Sequence, residues 1–113
     1  MLNINTDTIR FIIDKAHEFQ MLGESGDQTA EEGGNPAFAE LKATIDDLEP
    51  DQQVCLVTLM WVGRGDYSVD EWPKAVAHAG ESWTERTAEY LIGTPLLSDY
   101  LTEGLDQVDA GSE

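Results

Sequence analysis

The chain has 113 residues, with 23 Asp and Glu against 6 Lys and Arg, a net charge of -17. A surface of that sign repels nucleic acid, anionic membranes and like-charged copies, leaving proteins, cations and neutral small molecules as ligands to consider. The length and a hydrophobic fraction of 41% suit one domain with one real core.

Residues 6–22 are predicted as an amphipathic helix, because Ile9, Ile12, Ile13, Ala16 and Phe19 recur at helical spacing. Thr6 or Asp7 supplies its N-cap and Gly23 follows its end. Phe11 and Leu22 fall on the other side, near Lys15. They form a second apolar stripe and are read as candidate partner contacts. The acidic, Gly-rich stretch 23–35 has no apolar period and reads as a loop. Asn35 as cap and Pro36 as first helical residue then open a second helix, with Phe38, Leu41, Ile45 and Leu48 as its buried stripe.

Pro50 interrupts this pattern ahead of the apolar run Val54–Val62. Periodicity does not separate a buried helix from a buried strand here. The valines favour a strand; Leu56, Leu59 and Met60 favour a helix. A single strand would have nothing to pair with, so 54–62 is assigned as a central helix, apolar nearly all round and ended by Gly63 and Gly65. Cys55 lies within it and reads as an inert core thiol. A single cysteine can make no disulfide within the chain.

After the turn at 63–67, Ser68 to Glu71 matches a capping box, but Pro73 favours Asp70 as the cap of a fourth helix. Val69, Trp72, Val76 and Ala79 are expected to face inward. A second capping box, Ser82 to Glu85, opens a helix to about Ile92. Gly93-Thr94-Pro95 closes it and caps a last helix with Leu96, Leu97, Tyr100 and Leu101, ended by Gly104. The expectation is all-α: a compact bundle of about six short helices around a central 54–62 helix. The single domain spans 1–105, with the acidic loop 23–35, and 106–113 forms a flexible acidic tail.

Chemistry-bearing patterns are sparse. Asp14, His17 and Glu18 have the carboxylate–histidine spacing of di-metal bundles, but a second such pair is missing: His78 has Ala75 at the matching position. A calcium loop ending at Glu71 would put Met60, Val62 and Arg64 at ligand positions that require oxygen. Gly63-Arg64-Gly65 lacks the glycine and lysine of a phosphate loop. Neither histidine has an evident nucleophile beside it. No catalytic residue, metal or cofactor is predicted. Arg64 is the cation that stands out, in a glycine turn between the core helix and Trp72. Either it pairs with Asp66 or Glu71, or it joins Asp66, Tyr67 and Trp72 in a pocket for an anionic ligand. Trp61, Trp72 and Trp83 are read as core residues.

The stretch Leu56-Val57-Thr58-Leu59-Met60-Trp61-Val62-Gly63-Arg64-Gly65-Asp66, followed by Trp72, resembles the signature of an uncharacterised bacterial family, domain of unknown function 3775. Thr87-Ala88-Glu89-Tyr90-Leu91-Ile92-Gly93-Thr94-Pro95-Leu96-Leu97-Ser98-Asp99-Tyr100-Leu101 resembles it too. The likeness covers about Ile9 to Leu105. It implies a compact helical domain in a bacterial cytoplasm and carries no activity. The first residues lack the basic and apolar regions of a signal peptide, and the longest apolar run is too short to span a membrane. The expectation is therefore a cytoplasmic, non-catalytic module that binds a protein partner or a second copy of itself, and neither nucleic acid nor membrane. The alternative is a small binder of anionic ligands, or a minor enzyme, with its pocket near Arg64 and Trp72.

Overall fold

The third helix, α3 (Pro50–Arg64), buries Gln53 and every residue from Cys55 to Val62. A helix apolar on all faces has to be surrounded by others. The computed structural model describes residues 4–24 and 36–111, with the side chains of 4–19 and 38–108. The other helices are α1 (Thr6–Glu24), α2 (Pro36–Asp46), α4 (Trp72–Ser82), α5 (Thr87–Ile92) and α6 (Leu97–Gly111). A 3-10 turn, Val69–Glu71, leads into α4. There is no strand among the described residues, and the fold is all-α. The most extensive pair is α3 with α6; α4 also packs on α3, α1 lies on α6 and α2, and α2 reaches α5.

Backbone contact at the α3–α6 crossing is direct. A Cβ on Gly63 would stand 1.8 Å from the Tyr100 carbonyl oxygen, and one on Gly104 2.2 Å from that of Leu59. Gly63 faces Tyr100 and Gly104 faces Leu59, so the two helices run antiparallel. Neither glycine ends its helix, contrary to expectation. Both are there so that the helices can touch, and that tertiary contact overrides their weak helix propensity. As a result α6 runs on to Gly111 with Leu105 and Val108 buried, which corrects the flexible tail expected from Asp106. The C-cap of α3 is Gly65, at φ 98, where its N–H donates to the carbonyls of Trp61 and Val62.

The helix starts differ from the sequence reading in instructive ways. Asn5 caps α1, its Oδ1 accepting the Asp7 N–H at 2.7 Å, and Thr6 and Asp7 are already helical. The other end of α1 takes in Gly23. The expected loop lies outside the described residues from 25 onward, as does the Asn35 cap. Pro50 begins α3 instead of interrupting it: Glu49 is the N-cap, and its N–H donates to Gln52 Oε1 at 3.0 Å in a capping box. The Ser68 box forms, with the Ser68 N–H donating to Glu71 Oε1 at 2.9 Å, and Asp70 lies inside the 3-10 turn. Ser82 ends α4 instead of capping α5. The chain there is turned by Thr84, whose Oγ1 accepts the Arg86 N–H, and by Thr87, whose Oγ1 accepts from the Thr84 N–H and donates to the Thr84 carbonyl. Leu96 precedes α6 on left-handed backbone (φ 63) and is 50% exposed, so it does not join the core.

One buried polar link ties two helices and the residue that follows a third. Gln53 Nε2 donates to the Ile45 carbonyl at 2.8 Å, and Gln53 Oε1 accepts from Trp83 Nε1 at 2.7 Å. This satisfies the side chain at both ends and fastens the end of α2 and the segment after α4 to α3. Cys55, on the same helix, is buried.

Candidate functional site

Among the described residues, two surfaces gather side chains that chemistry or recognition would use. The first is the C-terminal end of α3, where sequence reasoning placed a pocket. Arg64 donates through Nε (2.9 Å) and Nη2 (2.6 Å) to Asp66 Oδ2. This pairing holds its guanidinium above its ordinary pKa. Tyr67 turns inward instead of toward Arg64. Its ring stacks on Trp61 (centroids 5.9 Å apart), and its hydroxyl is 2.8 Å from His78 Nδ1. The imidazole lies against the same indole at 4.9 Å. Trp61 Nε1 donates to the Tyr90 hydroxyl at 3.1 Å. Trp72 is buried in the core at the start of α4, whereas Arg64 and Asp66 are exposed. Of the four residues named from the sequence, Arg64 and Asp66 pair directly, Tyr67 belongs to an aromatic cluster, and Trp72 supports the fold.

Sequence reasoning missed Trp61, His78 and Tyr90 as members of that cluster. They come from α3, α4 and α5, and Tyr90 is 29 residues from its partner Trp61. No local pattern brings them together. Beside the cluster, Val57, Ala79, Ser82, Trp83, Thr84, Thr87 and Tyr90 enclose a crevice of about 40 Å³, room for a water or two.

The second surface is an open groove of about 610 Å³ between α2 and α5. Phe38, Ala39 and Ala43 supply its apolar lining, and Lys42, Asp46, Arg86 and Glu89 its charged lining. Its origin is the periodicity of α2: Leu41 and Ile45 go into the core, and the next face round the helix carries Ala39, Lys42, Ala43 and Asp46. Lys42 Nζ lies 2.8 Å from Asp46 Oδ2, and Arg86 Nε 2.9 Å from Glu89 Oε1. The Asp46 bond holds the Lys42 ammonium above its usual pKa, and Glu89 and Arg86 both act on it through space. The four charges therefore form one compact group of alternating sign. No sequence motif signals this groove, because its walls lie some forty residues apart in the chain.

The expected contact strip on α1 is only partly described. Phe11 is 44% exposed with the Lys15 ammonium 5.6 Å above its ring, and Lys15 also reaches Glu40 at 2.9 Å. The Leu22 side chain lies outside the described residues. Asp14, His17 and Glu18 are exposed on α1, and no group of three potential metal ligands occurs among the described residues. None of the described helices is long and apolar enough to cross a membrane.

The chain matches the family described as Protein of unknown function (DUF3775) over residues 38–110. It belongs to this family. The match begins inside α2 and ends one residue short of the end of α6, so it includes every residue lining the groove and leaves α1 outside. The likeness was expected from about Ile9, twenty-nine residues earlier than the match begins. No curated protein and no solved structure shows significant similarity.

Proposed function

We propose that this DUF3775 member is a non-catalytic, cytoplasmic protein-interaction module, with the α2–α5 groove as its docking seat. The carrying observation is local neutrality. The groove sets two cations against two carboxylates beside an apolar lining of Phe38, Ala39 and Ala43, on a chain of net charge -17. A protein partner docks best where apolar contact is on offer and no single sign of charge has to be desolvated. The groove also lies wholly inside the span matched by the family. At the other candidate surface, Arg64 is committed to Asp66 and Tyr67 to His78, which favours a structural role there.

Photo-crosslinking in the native host tests this reading. A photoreactive residue at Ala43, exposed on the groove, is expected to capture a discrete protein adduct, whereas one at Ala77, exposed on α4, is not. Equal labelling at both positions, or none at Ala43, would refute the docking seat.

A further inference from the structure

We infer that the partner seated on the α2–α5 groove is a second copy of this chain, related by a two-fold axis that passes beside α2, perpendicular to it and level with residues 43 and 44. The inference rests on the docking reading above and goes further by naming the occupant.

A two-fold interface must be complementary to itself, because each residue meets its symmetry mate's surroundings. The groove meets that condition in charge: Lys42 and Arg86 alternate with Asp46 and Glu89, and Lys42 feels all three of the others. It also meets it in shape, since one wall is itself a helix. With α2 of one copy lying antiparallel against α2 of the other, each α2 covers the open side of the partner's groove. Ala43 then faces Ala43 across the axis, and Lys42 of each copy comes beside Asp46 of the other. The apolar side chains of Phe38, Ala39 and Ala43 are then covered at the centre of the contact with the four charges around them, the ordinary anatomy of a protein interface. The ion pairs within one chain are exposed on both sides and contribute little, so exchanging them between copies costs little.

Outside the groove the two copies repel, each carrying -17. Association should therefore strengthen as salt rises from ~0.01 M to ~0.15 M and the Debye length contracts from about 30 Å to about 8 Å. A dimer held by a few rim ion pairs alone would weaken over that range.

Sedimentation equilibrium of the full chain across this salt series is the test. The wild type is expected to dimerise more tightly at the higher salt. Ala43→Arg, a good helix former at an exposed position, should abolish the dimer while the monomer stays folded, with the helical circular dichroism of the wild type. Lys42→Glu should weaken it about tenfold or more by opposing like charges, and Lys42→Glu combined with Asp46→Lys should recover much of the loss. A monomer at every salt concentration overturns self-association, as does undiminished dimerisation of Ala43→Arg. An Ala43 photo-adduct whose mass differs from that of the dimer would leave the docking seat standing and reject only the second copy as its occupant.

Discussion

Replacing Gly63 or Gly104 with alanine probes the crossing on which the fold turns. In an open helical position alanine is favoured over glycine by up to ~1 kcal/mol. Gly80 in α4 is such a position, since a Cβ there meets nothing within 4 Å. Gly80→Ala is accordingly expected to stabilise by roughly 0.5–1 kcal/mol, a rise in melting temperature of about 2–6 °C for a domain of this size. At Gly63 the added carbon lands 1.8 Å from a backbone oxygen of α6, which cannot rotate away. Bringing that separation to an ordinary 3.4 Å means parting the helices by about 1.6 Å. A gap of even 0.5–1 Å forfeits about a quarter to a half of the dispersion attraction of the atoms lining it. Overpacking costs typically about 1–3 kcal/mol. With the loosening of the most extensive helix pair added, Gly63→Ala is expected to destabilise by roughly 2–4 kcal/mol. That is a large share of the ~5–15 kcal/mol a domain commands. Gly104→Ala, at 2.2 Å, should cost somewhat less. Both substitutions push the same two helices apart, so the double variant should cost clearly less than the sum. Urea unfolding followed by far-ultraviolet circular dichroism measures all four variants. A Gly63→Ala protein as stable as wild type, or a strictly additive double variant, would refute the close crossing.

Four further outcomes follow from other features of the protein. Gln53→Leu strands the Trp83 indole N–H and leaves the Ile45 carbonyl with the Leu48 N–H alone, and should destabilise by roughly 1–3 kcal/mol in denaturant titration. Gln53→Glu can accept from Trp83 but not donate to Ile45 until it is protonated, so its deficit against wild type should narrow as pH falls; a constant or widening gap would contradict the link. Leu96→Asn should raise stability by about 0.5–1 kcal/mol, because asparagine tolerates the left-handed backbone that leucine adopts there; calorimetry showing a loss would mean that the leucine's contacts outweigh the strain. Finally, self-repulsion at a net charge of -17 predicts a melting temperature that rises between low and moderate salt, and a flat or falling profile counts against it.

The sequence made the helices of this fold readable where a single face decides them. Ile9, Ile12 and Ala16 in α1, and Leu41 and Ile45 in α2, are buried at the predicted spacing. The apolar run at 54–62 proved to be the centre of the bundle. Its true start was hidden because Glu49 is an uncommon cap and Pro50 serves as a first helical residue as well as a breaker. The length of α6 was hidden for a different reason. Gly104 looks like a stop until Leu59 is known to lie across it, and that contact joins residues far apart in sequence. The candidate surfaces were less legible still. Arg64 and Asp66 lie two residues apart, and their pairing was one of the alternatives the sequence left open, but the Trp61–Tyr67–His78–Tyr90 cluster and the α2–α5 groove exist only once separate helices meet.

Burial of Cys55 in the middle of the central helix gives this protein a chemical clock. A maleimide or similar reagent cannot reach the sulfur while the bundle is shut, so each labelling event records one opening of the core. With one cysteine in the chain, the mass increment is single and unambiguous. The modification rate, followed against denaturant, then yields the opening free energy at one known atom, with no engineered reporter.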